Sequence, residues 1–423
     1  MKMLNIFKKL EILPNKNFKR NILDFVDFKT IGLVALLMFA GLLSIYSASS
    51  EPGFEIYFYK QVMFVAIGFG VMLFIVFVPD NWIKFNSIFI YLISLALLIA
   101  VLIFGKTISG TKGWFQLSGF SFQPAEFAKL AVLLLVSRFL SQKGIDIKNL
   151  RDLLSVLGLF ALPVALIVIQ PDIGSASVVV VLMLGILFWV GFDLLILYFI
   201  AFAPFVLILS LIGLEYFIGS LVFFSISSIF FKKKLFKTVI LISLVFVVGY
   251  FSQNIIQTLP QNTQDRIDIF LNPEKDPLNK GYNVLQSIMA VGSGGFTGKG
   301  YKHGSQTQLR YIPEQRTDFI FCVPTEEFGF IGGSIIIILF GLLFVRILSV
   351  ASESTDKFFS IISFGIGSVF LYHVTVNIGM VIGIMPIMGI TLPLMSYGGT
   401  ALIVNMAMIG LLLKAYGLQK KKG

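Results

Sequence analysis

Glu126 and Lys129 stand three residues apart in a mostly apolar stretch, so one helical face would carry both. A charge at mid-bilayer costs at least ~2.5–3.5 kcal/mol on insertion scales, and charges placed there tend to be paired and functional. The pair reads as a charged site at the outer end of a bundle cavity, or as an internal ion pair that only packs. The first reading is favoured. Pro124 suits a first helical turn, and Gln123 adds an amide just outside it. A second group is Arg310-Tyr-Ile-Pro-Glu-Gln-Arg-Thr-Asp318, followed by Phe-Ile-Phe. Asp318 lies where polar loop turns into apolar helix. Two roles are open to it there. It could cap the helix, with Thr317 as the rival cap. It could instead be a partly desolvated carboxylate facing an external cavity and acting as a base. Glu326 and Glu327 either point into the same cavity or are buried acids with partners.

Other chemistries fit less well. Gly292-Ser-Gly-Gly-Phe-Thr-Gly-Lys-Gly300 looks like a phosphate loop but departs from the Walker spacing at both ends, and reads as a re-entrant or surface turn. His303 and His373 are far apart, and with the single Cys322 no protein-built metal site is expected. One cysteine also excludes an internal disulfide. No Gly-x-Ser-x-Gly elbow is present for a hydrolase.

The elements that must position these residues are membrane helices. Apolar residues make up 57% of the 423 and charged residues 13%, against about 45–50% and about 25% in soluble domains. The net charge of +11 fits basic cytoplasmic loops rather than nucleic acid as a partner. Apolar stretches at 30–48, 61–78, 87–104, 125–140, 152–169, 174–191, two within 193–231, 235–252, 319–345, 358–381 and 393–414 predict twelve spans. The added pair around Lys232–Lys234 is the least regular of them. Basic clusters place the N-terminal segment 1–29, Lys143–Arg151, Lys232–Lys234, Arg346–Lys357 and the tail 415–423 in the cytoplasm. The transmembrane domain is then 30–414, with loops 105–124 and 382–392 and the large loop 253–318 outside. The second half of that large loop is expected to fold back onto the membrane, because 282–297 is apolar and Gly-rich. The expected fold class is an all-α polytopic integral membrane protein of 10–12 transmembrane helices with one large extracytoplasmic loop.

Three motifs narrow the reading further. Gln123-Pro-Ala-Glu-Phe-Ala-Lys129 resembles the fourth-span motif of the SEDS family, named for shape, elongation, division and sporulation. Pro313-Glu-Gln-Arg-Thr-Asp-Phe-Ile-Phe321 resembles its large-loop motif. Asn377-Ile-Gly-Met, Gly383-Ile-Met-Pro-Ile-Met-Gly389 and Pro393-Leu-Met-Ser-Tyr-Gly-Gly-Thr-Ala401 resemble its C-terminal signature. Gln170-Pro-Asp-Ile-Gly174 and Lys302-His-Gly-Ser-Gln-Thr-Gln308 are more similar to the elongation member than to the division member. Members usually show about ten spans, so the added pair is a departure, as is Arg316 where His is common.

The resemblance implies a peptidoglycan glycosyltransferase that polymerises lipid II at the outer face of the bacterial cytoplasmic membrane. It implies a class B penicillin-binding protein as partner, with other membrane proteins of the elongation complex. It assigns catalysis to Asp318, and a surrounding cavity to Glu126, Lys129, Gln123, Arg316, Arg310, Gln308 and Ser396. No built-in cofactor is expected, and a divalent cation (Mg2+ or Mn2+) is compatible. In such a reaction a sugar hydroxyl attacks an anomeric carbon that carries a lipid pyrophosphate. The leaving group is good, so a base is the main demand. Cations are wanted at the pyrophosphate, and Lys129, Arg316, Arg310 or a metal ion are the candidates. Two rivals stay open, a lipid II flippase and a non-catalytic scaffold of the cell-wall machinery.

Overall fold

The computed structural model describes residues 27–50, 53–108, 110–117, 120–231, 235–252, 257–258, 261–271 and 280–420. The basic N-terminal residues up to Arg20, the Lys232–Lys234 run and the tail beyond Lys420 lie outside the described residues. Helices occupy every apolar stretch expected to span. They are α1 (Phe28–Ala48), α2 (Glu55–Phe77), α3 (Asp80–Phe104), α4 (Pro124–Leu140), α5 (Leu150–Ile169) and α6 (Ile173–Trp189). Then come α7 (Leu194–Ile212), α8 (Leu214–Ser228) and α9 (Leu235–Tyr250). The loop region carries α10 (Gln261–Leu271), α11 (Lys280–Ser293) and α12 (Ser305–Gln308). The chain ends in α13 (Cys322–Glu353), α14 (Lys357–Val381) and α15 (Gly399–Lys420). Among the described residues eight helices have the length and hydropathy to cross a membrane, which makes this a multi-pass helical membrane protein.

The helices form a centre and a shell. In α14 and α15, 67% and 78% of the apolar window is buried, against 22–44% in the other long helices, whose outer sides carry rows of exposed Phe, Leu and Ile for lipid. The 17-residue α4 also runs through the centre, and this explains its composition. Protein surrounds it on most sides, so Glu126 and Lys129 can be matched by partners there. Helices α7, α8 and α9 stand apart and share a small core of their own, Leu195, Phe199, Val206, Phe217, Phe224 and Val245.

One end of the bundle is held by charge pairs. Arg346 donates to Asp27 at 2.7 Å, Lys84 meets Asp356 at 2.6 Å, and the fully enclosed Lys414 meets Asp80 at 2.8 Å. The motif residues lie at the opposite end.

Several expectations need correction. The helical fold stands as expected, with one small sheet added outside the helices. Residues read as loop 105–124 form a three-stranded antiparallel sheet in the order β1 (Lys106–Ile108), β2 (Thr111–Leu117) and β3 (Phe120–Phe122). Gly110 (φ +82°) makes the first turn, and Phe115 pairs with Phe122. The short aromatic and β-branched run was masked by its length. The last span starts at Gly399, not 393. Pro393 and the left-handed Leu394 (φ +65°) hold 393–398 as an irregular turn. The span read as 319–345 starts at Cys322, reaches Glu353 and is broken at Gly329. Within 253–318, α11 packs on α13 and α14, and Ser287 Oγ donates to Val381 O at 2.9 Å.

Candidate active site

The sheet, the starts of α4 and α6, the turn before α13 and the 387–401 signature meet around one cavity of about 1160 Å³, with side chains from α2, α10, α11 and α14 completing its wall. The N-terminal turn of α4 begins with Pro124, whose missing N–H is no loss at that position. Its next turn brings Glu126 to the cavity wall. Lys129 Nζ lies 2.6 Å from Glu126 Oε2 and 3.4 Å from His373 Nε2. His373 Nδ1 is 3.0 Å from Thr391 O, and a carbonyl only accepts, so the ring proton sits on Nδ1. Nε2 then accepts from the ammonium. Lys129 is 2% exposed and stands behind Glu126 and His373, which are the groups that face the cavity. It is therefore not positioned to contact a pyrophosphate directly, contrary to one expectation from the motif.

Asp318 lines the same cavity. The structure removes the capping alternative. The residue at the N-cap of α13 is Phe321, with no side-chain cap, and Thr317 Oγ1 bonds to Glu314 at 3.0 Å instead. The turn carrying Asp318 is clamped by the C-terminal signature. Asn377 Nδ2 donates to Asp318 O at 2.7 Å, Ser396 Oγ to Thr317 O at 2.7 Å, and Tyr397 N to Arg316 O at 2.9 Å. Gly389 (φ +68°) runs beside the carboxylate, and a Cβ there would stand 3.7 Å from Oδ2. Asp318 is half-buried, and protein atoms crowd its carboxylate where it lines the cavity. This desolvation pushes its carboxyl up to about 7, with Glu314 and Asp172 adding to the rise and Arg266 opposing it.

Gln123 is present at the site, and its Nε2 donates to Asp172 Oδ2 at 2.9 Å. Four expected cavity residues lie elsewhere. Arg310 stacks on Phe54 with Cζ 3.3 Å from the ring centre, and Arg316 covers Tyr57 at 4.2 Å. Both guanidinium groups are held on these rings, and although Tyr57 lines the cavity, neither arginine is part of the lining. Gln308 Nε2 donates to Ser47 Oγ at 3.0 Å, and Ser396 is spent on the backbone of the Asp318 turn. Glu326 and Glu327 resolve as buried acids with partners, Glu327 accepting from Ser47.

Sequence reasoning missed His373, Asp172, Arg266 and Trp114, all in the cavity wall. Asp172 was visible within Gln170-Pro-Asp but was given no role. It caps α6 by accepting from Ser175 N at 2.9 Å. His373 carried no motif and shows itself only through its contact with Lys129. The cations that line the cavity are Lys60, Lys106 and Arg266. No group of three or more His, Cys, Asp or Glu that could hold a metal occurs among the described residues.

Known proteins resemble the chain over most of its length. The sequence model of the family described as cell cycle protein (FtsW, RodA, SpoVE) matches residues 28–223 and 216–421, and the two stretches overlap within α8. Peptidoglycan glycosyltransferase MrdB of Escherichia coli (strain K12) is 33% identical over 388 residues, covering 92% of each chain. Peptidoglycan glycosyltransferase RodA of Treponema pallidum (strain Nichols) is 34% identical, covering 93% of this chain and 98% of its own. A solved chain from a peptidoglycan synthase complex that coordinates polymerization and crosslinking superposes with a TM-score of 0.68. It is 28% identical and covers 92% of this chain and 97% of that one. The crystal structure of the rod shape determining protein RodA of Thermus thermophilus gives a TM-score of 0.61 at 25% identity, covering 92% and 96%. The chain therefore belongs to the FtsW, RodA and SpoVE family of cell cycle proteins, the SEDS family that its motifs resemble.

Proposed function

We propose that the chain polymerises lipid II into glycan strands at the outer face of the bacterial cytoplasmic membrane, in cell elongation and shape maintenance. It is a peptidoglycan glycosyltransferase, as its curated relatives are named. The observation that carries the mechanism is Asp318, a desolvated carboxylate in a cavity of mixed polar and apolar lining at one end of an apolar bundle. In the reaction an acceptor sugar hydroxyl attacks the donor's anomeric carbon. Asp318 takes the hydroxyl proton, the new glycosidic bond forms, and the bond to the lipid diphosphate breaks. Arg266, Lys106 and Lys60 are the cations placed to meet the departing charge. Trp114 offers a face for a sugar ring. A divalent cation, were one to take part, would come with the diphosphate and supply positive charge there, and the wall carboxylates that would hold it are Asp172 and Glu314. A class B penicillin-binding protein is the proposed partner, alongside other membrane proteins of the elongation complex. Purified protein given fluorescent lipid II should form polymer. Scrambling of lipid without polymer would overturn this reading in favour of a flippase.

Three outcomes follow for that assay. The base works as a carboxylate, and its pKa is raised to about 7, so the active fraction grows as pH rises through that value. Polymerisation should fall about tenfold per pH unit below it and level off above. A flat profile from pH 5 to 8 would count against Asp318 as base. Arg266→Ala should cost roughly 10–10²-fold in kcat/KM, the loss of about 1.5–3 kcal/mol for a bond to a charged group. It should also move the pH midpoint upward, because Arg266 holds the Asp318 carboxyl down. An unshifted midpoint would place Arg266 away from the base.

The orientation we propose puts the end held by the Asp27–Arg346 pair in the cytoplasm, with both termini, and the cavity outside. Single cysteines at Lys143 and Lys302, in a Cys322→Ala background, would report it. An impermeant thiol reagent on intact cells should label position 302 and spare 143, and the reverse pattern would refute the assignment.

A further inference from the structure

The Gly292–Gly300 stretch is not a phosphate loop and does not line the cavity. It is built into a membrane helix. In an unbroken α13, Phe330 N would donate to Glu326 O and Ile331 N to Glu327 O. Gly329 (φ +65°, ψ −156°) prevents both bonds. All four backbone groups are instead satisfied by the glycine stretch. Phe330 N donates to Gly295 O at 2.9 Å and Ile331 N to Phe296 O at 3.2 Å, while Glu326 O accepts from Lys299 N at 3.1 Å and Glu327 O from Gly300 N at 3.0 Å. The approach needs glycine on both sides. A Cβ would fall 2.0 Å from Thr325 O at Gly294, 2.1 Å from Glu327 O at Gly298, and 2.4 Å from Gly298 N at Gly329. Inside a membrane protein a break of this kind persists only where other protein groups pair the backbone.

The half-helix so released, Cys322–Phe328, begins four residues after Asp318 and carries Glu326. That carboxylate is fully enclosed and accepts from the start of α12. Gln306 N and Thr307 N each donate at 2.9 Å, Thr307 Oγ1 at 2.6 Å and Lys299 Nζ at 2.8 Å. Thr307 O in turn accepts from Gln315 Nε2 at 3.1 Å, and Gln315 belongs to the turn that presents Asp318. A continuous set of bonds therefore runs from the glycine stretch through Glu326 and Thr307 to the reacting segment.

We infer that the spliced glycine stretch and Glu326 are positioning elements for Asp318, setting the depth at which its carboxylate sits in the cavity. This rests on Asp318 being the base. Glu326 touches no cavity atom and acts only through the turn. Loosening the splice lets water reach the Asp318 turn, which stabilises the carboxylate form.

The test is the rate of lipid II polymerisation by the purified full chain, measured against pH and substrate concentration. Gly298→Ala should lower kcat at least about tenfold while KM stays within about twofold, the loss expected from misplacing a reacting group by ~1 Å. The midpoint of its pH profile should move to lower pH. Thr307→Val keeps every backbone bond and removes one donor to Glu326, so it remains informative where Gly298→Ala fails to fold. It should lower kcat roughly threefold with the same direction of midpoint shift. A simple loss of folded protein would lower the rate equally at every pH, and that result, or an unchanged kcat in both variants, would overturn the inference. Asp318→Asn serves as the reference. If it is inactive while both splice variants match wild type, the positioning role alone fails. If it is active, the base assignment fails and takes the positioning role with it.

Discussion

Asp318→Asn is expected to give a folded protein that polymerises lipid II at least ~10²-fold more slowly than wild type. The substitution keeps size and one carbonyl oxygen and removes the base. A helix cap would tolerate it, because Asn and Asp rank together at that position. The structure closes that escape, since Phe321 and not Asp318 occupies the N-cap of α13. The bond from Asn377 reaches the Asp318 backbone oxygen, so the turn itself should survive the change. Asp318→Glu should rescue poorly. One added methylene displaces the carboxylate towards Gly389 and spoils a near-attack geometry. The measurement is polymer per minute from monodisperse protein with the penicillin-binding partner present. An Asn variant within a few-fold of wild type would remove Asp318 from the chemistry.

Lys129→Met should be the most damaging single change in α4. The Glu126 side chain is only 11% exposed, and its ion partner at 2.6 Å would be gone. Leaving a buried charge unpaired costs about 3–5 kcal/mol, enough to reduce the folded fraction of a marginally stable protein severely. His373 Nε2 would lose its donor as well. The double change Glu126→Gln with Lys129→Met leaves no stranded charge, so thermal stability should return towards wild type. Polymerisation by the double variant should stay low, because the cavity wall has lost the Glu126 carboxylate. Lys143 is exposed, and Lys143→Ala should fall within about 0.5 kcal/mol of wild type. Equal stability and equal rates for the Lys129 and Lys143 variants would refute the role given to the buried pair.

What the residues announce and what they conceal divide along physical lines. Apolar stretches of about 20 residues announce themselves, and each expected one carries a helix. The Glu126–Lys129 pairing was readable because three residues of separation fixes a shared helical face. The sheet at 106–122 was not readable, since strands of three to seven residues leave too little alternation to count. Arg310 and Arg316 show a different limit. Their charge suggested a phosphate site, but where a guanidinium points depends on which aromatic rings the fold places beside it. Phe54 and Tyr57 lie more than 250 positions earlier in the chain. Glycines told least of all. Nothing local to Gly298 signals that its lack of a side chain serves a carbonyl on another helix.

The burial of α4 also bears on how the protein is made. Its 17 residues include Glu126, Lys129 and Arg138, and it falls outside the helices whose length and hydropathy mark them as candidate spans. Three ionised residues would weigh against its partitioning from the insertion machinery into lipid as a lone segment. Its extensive neighbour is α3, which ends just before the sheet and is long and strongly apolar. The two are therefore expected to enter the bilayer as a hairpin, α3 providing the hydrophobic drive while Glu126 and Lys129 neutralise one another. In the orientation proposed above, the sheet between them is the tip of that hairpin and the part that has to be carried across. A chain whose synthesis paused after α3 would hold a stable anchor, whereas one that lost α3 would be left with α4 and the first wall of its cavity on the wrong side of the membrane.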